Sequence, residues 1–362
     1  MFEVQRRYDR RFDPQDRSGV LALVGAQWGS EGKGVIAAGL AKHFNAAVRV
    51  GGPNAGHSFY HGDDLHKMRG VPCAWVNEAA RLFIGAGAVV NPELLVRELD
   101  AVNRSITIDP QAMLVNHHHE QQEGSIVKAI GSTGEGVGAA RTEKIGRLDA
   151  RLAGRWDWPD RVKIGPVAWE VAEILANGGA VMLEGTQGSG LSLHHGSYPF
   201  VTSSDTNASG IAAEAGIAPS HIKHTHLVAR TYPIRVAGNS GPMGGAELSW
   251  DYFIERGIVE RPEKTTVTQK VRRIAEWDDG VFNRAVVLNN PCGVWLTFGD
   301  YLVPELAGFT DPDAVMAAPA IREMVTRISR TWSLPVLGVG MGGDRWKVAQ
   351  LYPCKHGTEW AW

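Results

Sequence analysis

The sequence predicts an α/β fold built on a mainly parallel sheet. Three observations carry this. An apolar run, VLALVGA at 20–26, ends in a glycine-rich loop, QWGSEGKG at 27–34. That loop opens directly into a helix-forming segment, VIAAGLAKHF at 35–44. The alternation of apolar strand, polar glycine loop and helix then recurs along the chain. A continuous apolar run suits a strand buried on both faces, and strand, loop, helix, strand is the order from which parallel sheets are wound.

The elements follow in order. AAVRVGG (46–52) reads as the second strand, with PNAGHS (53–58) as its outgoing loop. RLFIGAGAVV (81–90) is strand-like and PELLVRELDAV (92–102) is a helix with proline in its first turn. SITIDP (105–110) and AMLVN (112–116) read as strands, GPVAWEVAEILANGG (165–179) as a helix stopped by glycines, and AVMLEGTQG (180–188) as another buried strand. HTHLVARTYPIRV (224–236) and RAVVLNNPCGVWLTFG (284–299) are read as strands, and DAVMAAPAIREMVTRIS (313–329) as one helix. LPVLGVGMGGDR (334–345) is the last strand. The polar residues follow the strands, where open α/β sheets bind ligands.

With 362 residues the chain has room for one to three domains. No internal repeat or low-complexity linker divides it, so a single domain over 20–362 is expected, preceded by a polar arm at 1–19. The first eleven residues hold four arginines but no apolar segment of the kind a signal peptide needs. No apolar run approaches a membrane span. Lys and Arg total 37 against 39 Asp and Glu, which argues against a broad nucleic-acid surface. The three cysteines, Cys73, Cys292 and Cys354, form no CxxC pair, so a reducing, cytoplasmic setting is expected, without nucleic-acid or membrane partners.

Four loops carry the chemistry. QWGSEGKG departs from a standard P-loop, with Gln27 where glycine is usual and Gly34 where Ser or Thr is usual. It reads either as an ordinary glycine-rich turn or as a cradle for phosphates. In the second reading Gly29, Gly32 and Gly34 admit the triphosphate to backbone amides and Lys33 adds charge. His57, in GGPNAGHS, lies at the same sheet edge and could donate to phosphate oxygens, and the Gly56 carbonyl suits a hard cation. GSTGEGVGAARTEKIGR (131–147) offers hydroxyls, with Arg141 and Arg147 as anion partners. LEGTQGSGLSLHHGSYPFVTSSDTNASG (183–210) offers Gln187, Thr202, Ser203 and Ser204. Each loop is weak evidence alone; four after four strands suggest an enzyme of nucleotides.

The motifs WGSEGKG, GGPNAGHS, STGEGVG, EGTQG, HGSYPFVTSSDT and TTVTQKVRR, in this order over roughly 20–345, resemble the signatures of adenylosuccinate synthetase. That family joins IMP to aspartate using GTP, on a large central, mainly parallel sheet flanked by helices, as a homodimer. The resemblance implies catalytic roles for Ser30, Lys33, His57 and Gln187. It implies that ATP and its phosphates meet Ser30, Glu31, Gly32, Lys33, Gly34, Gly56, His57, Ser58, Asp300, Gly340 and Gly342. The purine monophosphate would meet Ser30, Asn54, Ser132, Thr133, Gln187 and Thr202, with Arg147 reaching the neighbouring subunit's site. Aspartate would meet Thr268, Lys270, Arg272 and Arg273, a cationic set matched to two carboxylates. Ser30 and Gly56 would hold Mg2+.

Two departures bear on the substrate. The family loop reads WGDEGKG, and its Asp serves as base and magnesium ligand; here Ser30 stands there. A hydroxyl is a poor base at neutral pH, so the chain is either inactive or altered in its purine. The family Asp faces hypoxanthine N1, beside C2, and a small neutral serine leaves room for the 2-amino group of guanine. The remaining features are retained, which favours an altered purine. In LTFGDYL (296–302), Phe298 replaces the lysine of the family's TKLD while Asp300 remains, which makes ATP or dATP plausible donors. Both departures match a viral branch of the family, the 2-aminoadenylosuccinate synthetases of phages with diaminopurine DNA. That branch implies dGMP, L-aspartate and ATP or dATP as substrates.

Other features read blandly. HHHE at 117–120 invites a zinc reading, but adjacent histidines in an extended stretch point to opposite faces. His194 and His195 fall within a family signature, as structural residues or near the nucleotide. The twelve tryptophans read as core and interface residues.

Overall fold

The structure, a computed structural model, describes residues 18–147, 150–265, 269–342 and 346–351. Thr268 and Cys354 lie outside them, as does nearly all of the expected arm. Among the described residues a ten-stranded sheet forms from β1 (Gly19–Gly25), β2 (Ala46–Arg49), β3 (Arg81–Ile84), β4 (Ile106–Ile108), β5 (Val162–Ile164), β6 (Ala180–Glu184), β7 (Ile222–Arg230), β8 (Gly293–Thr297), β9 (Val336–Gly342) and β10 (Lys347–Gln350). The order across the sheet is β10-β9-β8-β7-β1-β6-β2-β3-β4-β5. Every pairing is parallel except β9 with β10. The chain thus winds outward from β1 to β5, returns to insert β6 beside β1, and winds out the other way. The loops after β1, β2, β6 and β8 gather at the carboxyl edge beside that reversal, where such sheets bind ligands.

The helices are α1 (Lys33–Leu40), α2 (Pro92–Val102), α3 (His117–Gln122), α4 (Gly124–Ile130), α5 (Val137–Gly146), α6 (Val167–Ala176), α7 (Ala208–Ala215), α8 (Trp250–Ile254), α9 (Asp279–Asn289), α10 (Pro312–Ala317) and α11 (Pro319–Trp332). They cover both faces of the sheet, and β1 shows the period of two this requires. Val20, Ala22 and Val24 join a core shared with α6, α7, α9 and α11, while Leu21 and Leu23 join the core under α1 and α2. No helix among the described residues is long and apolar enough to cross a membrane.

Several segments differ from the sequence reading. Residues 284–289 belong to α9 and only Gly293–Thr297 is strand. The β-branched residues there suggested a strand, but Val281, Phe282, Ala285, Val286 and Asn289 are buried at helical spacing, and the Asp278 side chain caps the Val281 amide. The strand expected over 224–236 ends at Arg230; Ile234–Arg235 joins a small antiparallel sheet with Glu247–Leu248 and Arg273–Ala275. The strand expected over 81–90 breaks after Ile84, and Val89–Val90 pairs instead with Met113–Leu114. Pro319 splits the helix expected over 313–329. HHHE is helical, capped by Asn116, and His119 is buried against Glu143 at 2.7 Å.

Candidate active site

The glycine loop after β1 is braced from within. Glu31 is fully buried, and its Oε1 accepts the amides of Gln27 (3.1 Å) and Gly29 (2.8 Å). Its Oε2 accepts from Lys33 Nζ at 2.7 Å, and Lys33 also donates to the Gln187 carbonyl. Gln27 exchanges both amide bonds with the backbone of Arg230, which explains its place where a P-loop has glycine. Gly29, Gly32 and Ser30 all have positive φ, which turns the loop around a hollow. For serine this is uncommon, as it is for Gln187 and Phe298, which share the conformation at the same edge; residues so held cluster at functional sites.

A cleft of about 450 Å³ lies against this loop. Ser30, Glu31, Gly32, Lys33 and Gly34 line it from β1, and Gly56, His57 and Ser58 line it from the loop after β2. Asp300, Gly340 and Gly342 line its far end, beside Phe298. The side chain of Glu31 is spent on the loop, and its carbonyl accepts from Thr297 Oγ1 at 2.7 Å. A second cavity of about 90 Å³ is lined by Ser30, Asn54, Thr133 and Gln187. Ser30, Lys33, Gly56, His57 and Arg272 line both. A group passed between two ligands would cross at those five residues.

The expected residues do not all converge. Arg272 does, and its guanidinium donates to Ser30 Oγ. Arg273 instead pairs with Glu247 and donates to the Gly241 carbonyl at 2.7 Å, and Lys270 is exposed and lines neither cavity. Ser132 and Thr202 also line neither. Arg147 is exposed, in left-handed conformation at the end of α5. Arg141, read as an anion partner, is paired with Glu214 at 2.6 Å. His194 reaches Asp205 at 3.8 Å.

The sequence reading missed three charged groups. Glu184, the last residue of β6, is fully buried beside Arg49, its register partner on β2, and its Oε1 lies 2.6 Å from His57 Nδ1. Burial raises its pKa, but Arg49 and His57 outweigh burial and hold it well below the usual carboxylate range. Burial and then Arg49 push His57 down, so the imidazole is neutral at pH 7. The available signal was a carboxylate ending the apolar run AVML. The other two are Arg230 and Glu263, paired at the cleft. Arg230 stacks on Phe298 with its guanidinium carbon 3.5 Å from the ring centre. Beside them, burial pushes Asp300 up to about 6, and its Oδ1 is buried without a partner.

Comparison with known proteins agrees with this geometry. The family model for adenylosuccinate synthetase matches residues 22–163 and 160–305. The adenylosuccinate synthetase of Archaeoglobus fulgidus is 32% identical over 343 residues, 92% of this chain and 98% of the relative. That of Thermococcus sibiricus is 37% identical over 338 residues, 89% and 95% of the two chains. Among solved structures, the succinoaminodeoxyadenylate synthetase (PurZ) of cyanophage S-2L, bound to dGMP and dATP as an energy donor, superposes with a TM-score of 0.80 at 26% identity, covering 93% of this chain and 97% of that one. The fully ligated adenylosuccinate synthetase of Plasmodium falciparum shares the fold, with a TM-score of 0.78 at 21% identity over 92% and 99% of the chains. A glycine loop braced at the carboxyl edge of the sheet, two cavities meeting at Lys33 and His57, and matches over most of the chain lead to one statement: the protein belongs to the adenylosuccinate synthetase family of nucleotide-dependent carbon–nitrogen ligases.

Proposed function

We propose that the protein condenses dGMP with L-aspartate, using ATP or dATP, to give 2-amino-2′-deoxyadenylosuccinate, the nucleoside diphosphate and phosphate. The observation that carries this is Ser30, a small neutral residue at the junction of the two cavities. Its hydroxyl can accept from the guanine 2-amino group where an aspartate would crowd it. The cyanophage protein, seen with dGMP and dATP, supports the same reading.

Guanine O6 attacks the γ-phosphorus; the O6–P bond forms, the bridging P–O bond breaks and the diphosphate leaves, as N1 loses its proton to water. Lys33 and the loop amides stabilise the spreading charge, and His57, neutral in the free protein, joins them once Nε2 takes up a proton from water beside the bound phosphates. The amine of aspartate then attacks C6, the C6–O6 bond breaks, phosphate leaves with O6, and the amine loses a proton to the departing phosphate. Gln187 and Asn54 orient the purine, with Thr133 beside them. Arg272 receives a carboxylate of aspartate and on doing so releases Ser30, while Lys270 and Arg273, which line neither cavity, would have to turn inward to join it.

For a hard cation the chain offers two neutral oxygens. The Gly56 carbonyl accepts no hydrogen bond within the described residues, and the Ser30 hydroxyl is held by Arg272. Once Arg272 has turned to aspartate and released Ser30, that donor set would fit a magnesium ion drawing its other ligands from phosphate and water, and such an ion would neutralise charge on the donor's phosphates. Arg147 lies outside both cavities of its own chain, which suits a homodimer in which it serves the neighbouring site.

The test is incubation with Mg-ATP and aspartate plus either dGMP or IMP, reading phosphate release and product mass. The succinylated product should form from dGMP. Product from IMP alone would establish the second reading, a conventional synthetase, which the 32–37% identical archaeal relatives favour. Binding without product from either would favour a non-catalytic nucleotide-binding protein.

A further inference from the structure

We infer that Glu184 is a positioning residue for His57, holding the imidazole by Nδ1 so that Nε2 is the nitrogen presented where the two cavities meet. The inference deepens the function proposed above and rests on His57 acting in that site. Glu184 Oε1, His57 Nδ1 and Arg49 Nη1 form a triangle, with 2.6 Å between oxygen and imidazole and 3.0 Å between the two nitrogens. A guanidinium only donates, and an ionised carboxylate only accepts. Both nitrogens therefore point hydrogens at the shared oxygen, and Nδ1 is the protonated ring nitrogen. Nε2 is left for the cavities that His57 lines.

The fold supplies this arrangement at several points. Glu184 and Arg49 are register partners at the carboxyl ends of β6 and β2, so their adjacency follows from strand pairing. The second carboxylate oxygen accepts the Cys73 amide at 2.7 Å. Arg49 Nη2 donates to the Ala55 carbonyl at 2.8 Å, two residues ahead of His57. The imidazole is thereby fixed both through its ring and through its loop. A carboxylate behind a histidine sets its tautomer and lowers the cost of charging it as a reaction proceeds. Cys73 and His57, with Glu184, are the described residues close enough to suggest a metal site. The Arg49 guanidinium on the same carboxylate argues against a cation there and for a hydrogen-bonded relay.

Two measurements test this. The first is kinetic, with whichever of dGMP or IMP yields product. Glu184→Gln should lower kcat by about 100-fold, the upper end for such supporting contacts, while KM for the monophosphate stays within about threefold. In a His57→Ala background the same substitution should cost less than about threefold, because the group it positions is gone. An equal loss in both backgrounds, or a kcat near that of the unaltered protein, overturns the inference. The second needs no variant to fold well at Glu184 and no turnover. Nitrogen-15 spectra of histidine-labelled, ligand-free protein, with His57 assigned by His57→Ala, should show a protonated Nδ1 and an unprotonated Nε2. The opposite tautomer overturns it. Failure of both nucleotides to give product would remove the proposed function and leave this spectroscopic result standing on its own.

Discussion

At the scale of single residues, the proposed function rests on Ser30 for the monophosphate's purine and gives Asp300 to the donor's. Ser30→Ala removes an acceptor for the 2-amino group and should lower kcat/KM for dGMP by about 10-fold, the value of one or so kcal/mol of hydrogen bonding. Ser30→Asp should move preference toward IMP, read as the ratio of kcat/KM for the two nucleotides. Asp300 makes a prediction of different form. Burial pushes its carboxyl up to about 6, with Arg230 pulling down and Glu263 pushing up. Tyr301, the other ionisable neighbour, is pushed out of the working range, and Glu263 is held below its own. Below about pH 6 the protonated acid offers one donor and one acceptor, which match adenine N1 and its 6-amino group. Above it the carboxylate only accepts, which suits guanine N1–H and the 2-amino group. If Asp300 reads the donor base, KM for ATP should rise about 3- to 10-fold as pH climbs through 6, and KM for GTP should fall, at roughly one hydrogen bond. Asp300→Asn keeps a donor and an acceptor at every pH and should flatten the ATP profile; a variant profile identical to the parent's removes Asp300 from that role.

At the scale of elements, loops are fixed by buried carboxylates placed some distance away in sequence. Glu123, between α3 and α4, accepts the Gly136 amide at 2.9 Å and the Gly138 amide at 2.6 Å. It thereby satisfies orphan donors at the start of α5 and holds the STGEGVG loop, which brings Thr133 to the smaller cavity. Glu98 does likewise for the amides of Arg69, Gly70 and Val71. Glu123→Ala should cost about 1–3 kcal/mol in urea unfolding, the price of stranded buried donors. It should also raise KM for the monophosphate more than it lowers kcat. The sequence shows such loops by their glycines, and it shows Lys33 and His57 by their spacing. It does not show their braces, because Glu123 and Glu98 look like ordinary helix-surface charges until burial is known. For the same reason α9 passed for a strand. Val286, Val287 and Leu288 favour a strand locally, and only the packing of Phe282 and Ala285 against the sheet decides for the helix.

At the scale of the whole molecule, the motifs indicate which strands end in loops but not which strands are neighbours. That β6 inserts between β1 and β2 is a long-range fact, and with it comes the meeting of Arg49 with Glu184 that no local spacing encodes. The same sheet buries a titratable group with a consequence for the entire fold. His226 on β7 is almost fully buried, and its Nδ1 accepts from Trp295 Nε1 on β8 at 3.2 Å. Burial, followed by the nearby His224, lowers its pKa to about 3. The unfolded chain takes up this proton near pH 6.5, whereas the folded chain refuses it until about pH 3. Between those values the unfolded state binds more protons, so stability falls as pH falls, by up to about 1.4 kcal/mol per pH unit for a single group. Glutamine can still accept from Trp295 but cannot titrate. His226→Gln should therefore be modestly less stable at pH 7.5, yet lose stability more slowly from pH 6.5 to 4.5, the shared contribution of His57 cancelling in the comparison. Urea unfolding of both proteins at pH 7.5, 6.5, 5.5 and 4.5 measures the two slopes. Parallel curves would mean that the folded chain takes up the His226 proton as readily as the unfolded one, which an Nδ1 accepting from Trp295 does not allow.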